Sequence, residues 1–241
     1  MCAYFKDMFR LKSTFVLLYI SLFSLALTGA RIFITGKTMF LFMVWNLFLA
    51  FIPWLLASFI YLRKIKNGVV LACVIFVWIL FFPNAPYVLT DLMHLKKRLP
   101  VPLWYDLILL LSYAFAALLY GFVGLRFIEI RLEEKYKPGL KGGGFLGKSS
   151  VLICAMIYVS CFGVYIGRFL RLNSWDLFAA PVGACADILL CLAHPVRNPV
   201  PWLFTFLFGT LLNLVYYGVK HAAPFNTIST AKSEGHPFTA V

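Results

Sequence analysis

The chain has 241 residues, of which 62% are hydrophobic and 13% charged, and its mean hydropathy is +0.89. These values exclude a water-soluble domain of this length. The formal charge of +13, from 22 Lys and Arg against 9 Asp and Glu, is scattered through short connections, which argues against nucleic acid as a partner and for anionic membrane lipids.

The expected fold is all-α: a polytopic membrane protein with six or seven transmembrane helices in one domain over 1–221, then a polar, flexible tail at 222–241. Lys6, Arg10 and Lys12 precede the first apolar stretch, 13–30. Thr28 and Ala30 fit the −3 and −1 positions of a signal-peptidase site, but no compact secreted domain follows, so an uncleaved first helix is preferred. The N-terminus is then cytoplasmic and the protein sits in the cell membrane with multiple passes. Further spans are read at 38–62, 67–82, 103–125, 149–167, 177–193 and 200–219. The stretch 177–193 contains Pro181 and Asp187 and is the least secure. Seven spans leave 13 Lys and Arg inside and 9 outside, a modest bias of the expected sign.

After the third span, Pro83 and Pro86 break the helix, and Val88, Leu92, Leu95 and Leu99 then recur at helical spacing opposite Thr90, Asp91, His94, Lys97 and Arg98. The pattern predicts a short amphipathic helix near 88–99, either interfacial or re-entrant. Asp91 and His94 project from one side of it, which suits a divalent metal ligand pair or a carboxylate orienting a general base.

Trp104, Tyr105 and Asp106 open the fourth span, where an acidic residue is favoured by the helix dipole beside interfacial aromatics. The following cytoplasmic loop begins as a helical extension carrying Glu133 and Lys137 and stops at Pro138 and Gly139. Residues 142–149 read GGGFLGKS, a literal match to a nucleotide-binding loop. They open a membrane span instead of joining a buried strand to a helix, so no nucleotide is expected.

In the fifth span Gly163 and Gly167 form GxxxG, a spacing that allows close helix approach within the chain, with a membrane-protein partner, or in a homo-oligomer. Directly beyond it, Arg168 and Arg171 lie one turn apart and suit a phosphate or a carboxylate such as Asp91 or Asp106. Asn173 or Ser174 can cap a helix that begins with Asp176.

The strings WNLFLAFIP (45–53), FFPNAPYVLTDLMHL (81–95), WYD (104–106) and GRFLRLNSWD (167–176) closely resemble a bacterial family of multi-spanning membrane proteins classed as a domain of unknown function. That resemblance covers roughly residues 40–220 and implies no activity. It singles out Asn84, Tyr87, Thr90, Asp91, His94, Asp106, Arg168, Arg171, Asn173, Ser174 and Asp176 as matched polar positions.

These observations favour one polar site at the outer membrane face. Asp91, His94, Asp106 and Asp176 would supply acid, base or metal ligands, and Arg168 and Arg171 would hold an anionic lipid headgroup for hydrolysis or transfer. An ion- or proton-coupled transporter using Asp187 is the alternative. A non-catalytic accessory subunit is a third reading, whose expected sign is a closed polar cluster without a cavity.

Overall fold

The computed structural model describes Tyr4, Asp7, Met8, residues 11–65, 67–97, 100–136 and 148–171, Gly183, and residues 198–222. In chain order these contain α1 (Lys12–Thr35), α2 (Leu41–Arg63), α3 (Gly68–Phe81), α4 (Asn84–Thr90) with a 3-10 turn (Asp91–His94), α5 (Leu103–Tyr136), α6 (Lys148–Tyr165) with a π-helical turn (Ile166–Leu170), and α7 (Val200–Ala222). Six spans among them are long and apolar enough to cross a membrane, α3 and α4 together forming the third. The chain is therefore an integral membrane protein of helical type.

Local chemistry sets several helix ends. Gly36 closes α1 in the left-handed region, at φ 63°, where its N–H donates to the Ile32 carbonyl. Asn67 caps α3, its side-chain oxygen accepting from the backbone N–H groups of Val69 and Val70.

The third span corrects one expectation. Over the described part of 88–99, residues 88–97, no separate amphipathic helix forms: α4 starts at Asn84, one residue after Pro83, and its helical backbone ends at His94. Pro86 lies in the first turn of α4, where a missing N–H breaks no helical bond, so two prolines shift the helix without ending it. Ala85, Val88 and Asp91 are all buried, which places this segment in the bundle rather than across its surface.

At the centre of the bundle is α5, the most buried span. Asp106, Tyr113 and Tyr120 recur on it every seven residues, a period that keeps one stripe facing a partner helix. That partner is α1, running antiparallel. Tyr120 Oη shares a hydrogen bond with Ser21 Oγ at 3.0 Å, Tyr113 Oη with Thr28 Oγ1 at 2.8 Å, and Arg31 pairs with Asp106. With lipid tails as apolar as the side chains, such hydrogen bonds hold helices together at about 0.6 kcal/mol each. Thr28 and Ala30 lie inside this packed helix.

Three contacts show that α7 runs antiparallel to α6. The Tyr217 hydroxyl donates to the Ser150 carbonyl at 2.8 Å, Tyr158 and Thr210 hydroxyls are 2.9 Å apart, and Phe162 stacks on Trp202. Arg171 and Val200 thus lie at the same end of the bundle. The candidate span 177–193 falls outside the described residues. The described helices alternate through six crossings, and Lys220 ends beside Arg126 rather than on the opposite face. The extension of α5 reaches Tyr136; Lys137, Pro138 and Gly139 fall outside the described residues.

Gly163 is engaged within the chain. A Cβ there would stand 2.8 Å from Pro83 Cγ, so the close approach it permits is that of α6 to the α3–α4 junction.

Candidate functional site: a buried carboxylate held by Arg168

At the end of the bundle where α1 ends and α2 begins, Asp91 is 1% exposed. Arg168 Nη1 donates to its Oδ1 at 2.9 Å, and Asn46 Nδ2 donates to its Oδ2 at 2.7 Å. The same guanidinium reaches the Thr90 carbonyl at 3.1 Å and the Tyr87 hydroxyl at 3.4 Å, and its carbon lies 5.6 Å from the centre of the Tyr87 ring. Thr90 Oγ1 donates to the Tyr87 carbonyl and Asn84 Nδ2 to the Phe81 carbonyl, which fixes the α4 backbone that presents these groups. One arginine of α6 therefore ties the end of the third span, and α2 closes the far side through Asn46.

The backbone around Arg168 departs from the α-helix. Arg168 lies in the π-helical turn, a feature that concentrates at functional positions. Arg171 follows at φ 59°, a left-handed conformation that costs a non-glycine residue about 1–2 kcal/mol. The two arginines consequently do not share one helical face, as their spacing suggested. Arg168 turns inward to Asp91, and Arg171 is exposed beyond the helix end.

His94 stands at the mouth of this cluster. Its Nε2 is 3.9 Å from Asp91 Oδ1, its side chain is 47% exposed, and its ring meets Phe42 edge-on. Lys96 and Lys97 are exposed just beyond it. Among the described residues no three of His, Cys, Asp and Glu converge as a metal site. Both Asp91 oxygens already accept from Arg168 and Asn46, and an arginine at that distance repels a divalent ion. Asp91 is thus enclosed and hydrogen-bonded through both oxygens, whereas the His94 imidazole beside it is half exposed.

Asp106, expected in the same cluster, belongs to a neighbouring one. Its Oδ1 and Oδ2 accept from Arg31 Nε at 2.7 Å and Nη2 at 3.1 Å, a two-pronged pair between groups only 3% and 1% exposed. The guanidinium carbon lies 4.6 Å from the Phe40 ring centre, while Arg31 Nη1 is buried without a partner. Asp106 is thus a buried ion-pair partner and not simply a first-turn acid. Asn173, Ser174 and Asp176 lie outside the described residues, as does Asp187.

Sequence reasoning missed three of the partners. Asn46 was visible as an amide in the second turn of an apolar span, and such amides find hydrogen bonds. Arg31 was counted as a flanking charge. Glu129 was passed over because the span was taken to end near Leu125. Yet Glu129 is 0% exposed at the opposite end of the bundle. It accepts from Arg126 Nη1 at 2.6 Å, Lys220 Nζ at 2.7 Å and the Tyr216 hydroxyl at 2.8 Å. The i, i+3 spacing of Arg126 and Glu129 was the available signal.

Residues 45–215 match the model of a family described as a protein of unknown function (DUF1361). No curated protein and no solved structure matches the chain.

Proposed function

The chain belongs to the DUF1361 family, and from that premise we propose that it is an integral membrane protein that binds an anionic lipid headgroup at the cluster around Arg168, with that end of the bundle facing outward. The observation that carries this reading is the division of labour between the two arginines. Arg168 is consumed by Asp91, which leaves Arg171, His94, Lys96 and Lys97 as exposed cationic or proton-exchanging groups around the rim. Trp104, 61% exposed near the start of α5, gives that rim the aromatic anchor typical of the headgroup level. The outward orientation is supported by the basic residues Arg63, Lys64, Arg126, Arg131 and Lys220 at the opposite end, in keeping with the modest inside bias of the sequence.

Within this reading, Asp91 is a positioning group and His94 is the side chain able to take or give a proton, which is where headgroup hydrolysis or transfer would begin. Native mass spectrometry tests the reading. Wild type is expected to retain an anionic lipid that Arg171→Ala loses. Identical lipid occupancy in both proteins would reject it.

One observation favours a second reading. Asp91 is closed off, with both oxygens engaged, and this is the signature of a cluster that serves helix packing in an accessory subunit. On that reading neither protein retains a lipid.

A further inference from the structure

The bundle divides along a seam. On one side α5 packs against α1, α2 and α4; on the other α6 and α7 pair through Tyr158–Thr210, Tyr217–Ser150 and the rings of Phe162, Tyr165, Phe169, Trp202 and Phe204. Across the seam the contacts are few, and three kinds of feature gather there. At one end Arg168 of the α6 side holds Asp91 of the other side, 2.9 Å apart. At the opposite end Lys220 and Tyr216 of α7 hold Glu129 of α5, at 2.7 and 2.8 Å. Between them lies a small apolar void of about 10 Å³, the size of one water molecule. Phe82, Pro86 and Phe122 line it from one side and Ile157, Ser160 and Leu212 from the other. The buried Ser160 hydroxyl there has no partner.

This arrangement has an electrostatic asymmetry. Two cations, Arg126 and Lys220, surround the buried Glu129 at one end, whereas at the other Arg168 alone pairs with the buried Asp91 and Arg171 stands exposed beyond it. An arriving phosphate group can take up the cation of either tie once the carboxylate releases it, with Arg126 still pairing Glu129 at one end and Asn46 still hydrogen-bonded to Asp91 at the other, and a cation ligand would meet repulsion at both. The two ties also join the same pair of bodies at opposite ends, so opening one leaves the other closed. Pro83, set against Gly163 on the seam, has no backbone N–H to donate, which weakens the helical ladder where the two sides touch.

We propose that the α6–α7 hairpin rocks against the α1–α5 body, with Asp91–Arg168 and Glu129–Lys220 as alternate gates, and that the seam is a path for a phosphate-bearing anion, either a lipid headgroup or free phosphate. The structure is the occluded state of that path, both gates being closed and the void between them water-sized. The proposal rests on the reading of the Arg168 end as an anion site and extends it to a second, opposite site.

A native cysteine reports on the gates. Cys161 is buried, beside Ser160 and one turn from Ile157. In a protein with Cys2, Cys73, Cys154, Cys185 and Cys191 replaced by Ala, reconstituted in vesicles of phosphatidylcholine and phosphatidylglycerol, a membrane-impermeant thiol reagent is applied from each side. Cys161 is expected to be protected in the parent, labelled from the Arg168 side in Asp91→Asn, and labelled from the Glu129 side in Glu129→Gln. Labelling of both variants from one side, or of neither, overturns the alternate gates. Size-exclusion profiles check folding, and Arg168→Lys and Lys220→Arg serve as the gentler pair if the first variants aggregate.

Transport arms identify the cargo. Fluorescent phosphatidylglycerol made accessible to an outside quencher beyond its outer-leaflet share points to the lipid, and uptake of radiolabelled phosphate points to the free anion. Movement of neither overturns the path. If the parent nevertheless keeps an anionic lipid that Arg171→Ala loses, the headgroup reading stands and only the path fails.

Discussion

Replacing Asp106 by Asn removes one partner of a pair whose members are 3% and 1% exposed. Arg31 then keeps its charge in a buried site where Nη1 already lacks a partner, and the amide offers one acceptor where the carboxylate offered two. Loss of one member of such a pair costs about 3–5 kcal/mol. At roughly 2–4 °C per kcal/mol for a chain of this size, the Tm in detergent is expected to fall by about 6–20 °C. The double variant Arg31→Met, Asp106→Leu removes both charges from the same space, and its Tm is expected to return to near the parent's, because the desolvation cost disappears with the pair. Differential scanning fluorimetry of the three proteins at one detergent concentration decides. An unchanged Tm in Asp106→Asn, or a double variant less stable than the single, would refute the reasoning that this pair, rather than the hydrophobic contacts beside it, sets the sensitivity of the α1–α5 interface.

Arg171→Gly relieves the left-handed backbone at φ 59°. Its stability in lipid-free detergent is expected to rise by about 1 kcal/mol, measured as Tm, even as lipid retention falls. Gly209→Ala sets a Cβ into the Tyr158 ring, so the ring or the α6–α7 pair must shift. A loss of about 1–3 kcal/mol in the same assay is the expected result. Gly163→Leu drives a larger side chain into Pro83, 2.8 Å from the Cβ position, and is expected to leave the protein monodisperse only at reduced Tm. A Gly163 face used between chains would instead change the oligomeric mass seen by light scattering.

The helices were legible because apolar runs of spanning length leave few alternatives in lipid, although α1 continues through Arg31 to Thr35 and α7 past Lys220 to Ala222. The link between Asp91 and Arg168 was legible for a different reason. Both stand at ends of spans that alternate direction, so topology alone brings them to one face. Side-chain orientation was not legible. Nothing in the spacing of Arg168 and Arg171 announces a π-helical turn, which separates two residues that an α-helix would align. Asp106 was assigned to the wrong partner because Arg31 sits at the end of a helix distant in sequence, and only the heptad on α5 could have pointed to α1. Glu129 was hidden by the convention that a charge ends a span. In this chain a span carries charges past its apolar stretch by pairing them, and α5 continues to Tyr136 with Glu129 fully enclosed.

Any ligand that binds the native state raises its stability by an amount set by concentration and affinity, so the Tm of the detergent-solubilised protein reads headgroup binding directly. Titration with phosphatidylglycerol is expected to raise the Tm of the parent well above the effect of phosphatidylcholine at the same mole fraction, and Arg171→Ala is expected to abolish that difference. Equal shifts with both lipids in the parent, or an undiminished difference in Arg171→Ala, would contradict the assignment of the Arg168 end as an anionic headgroup site.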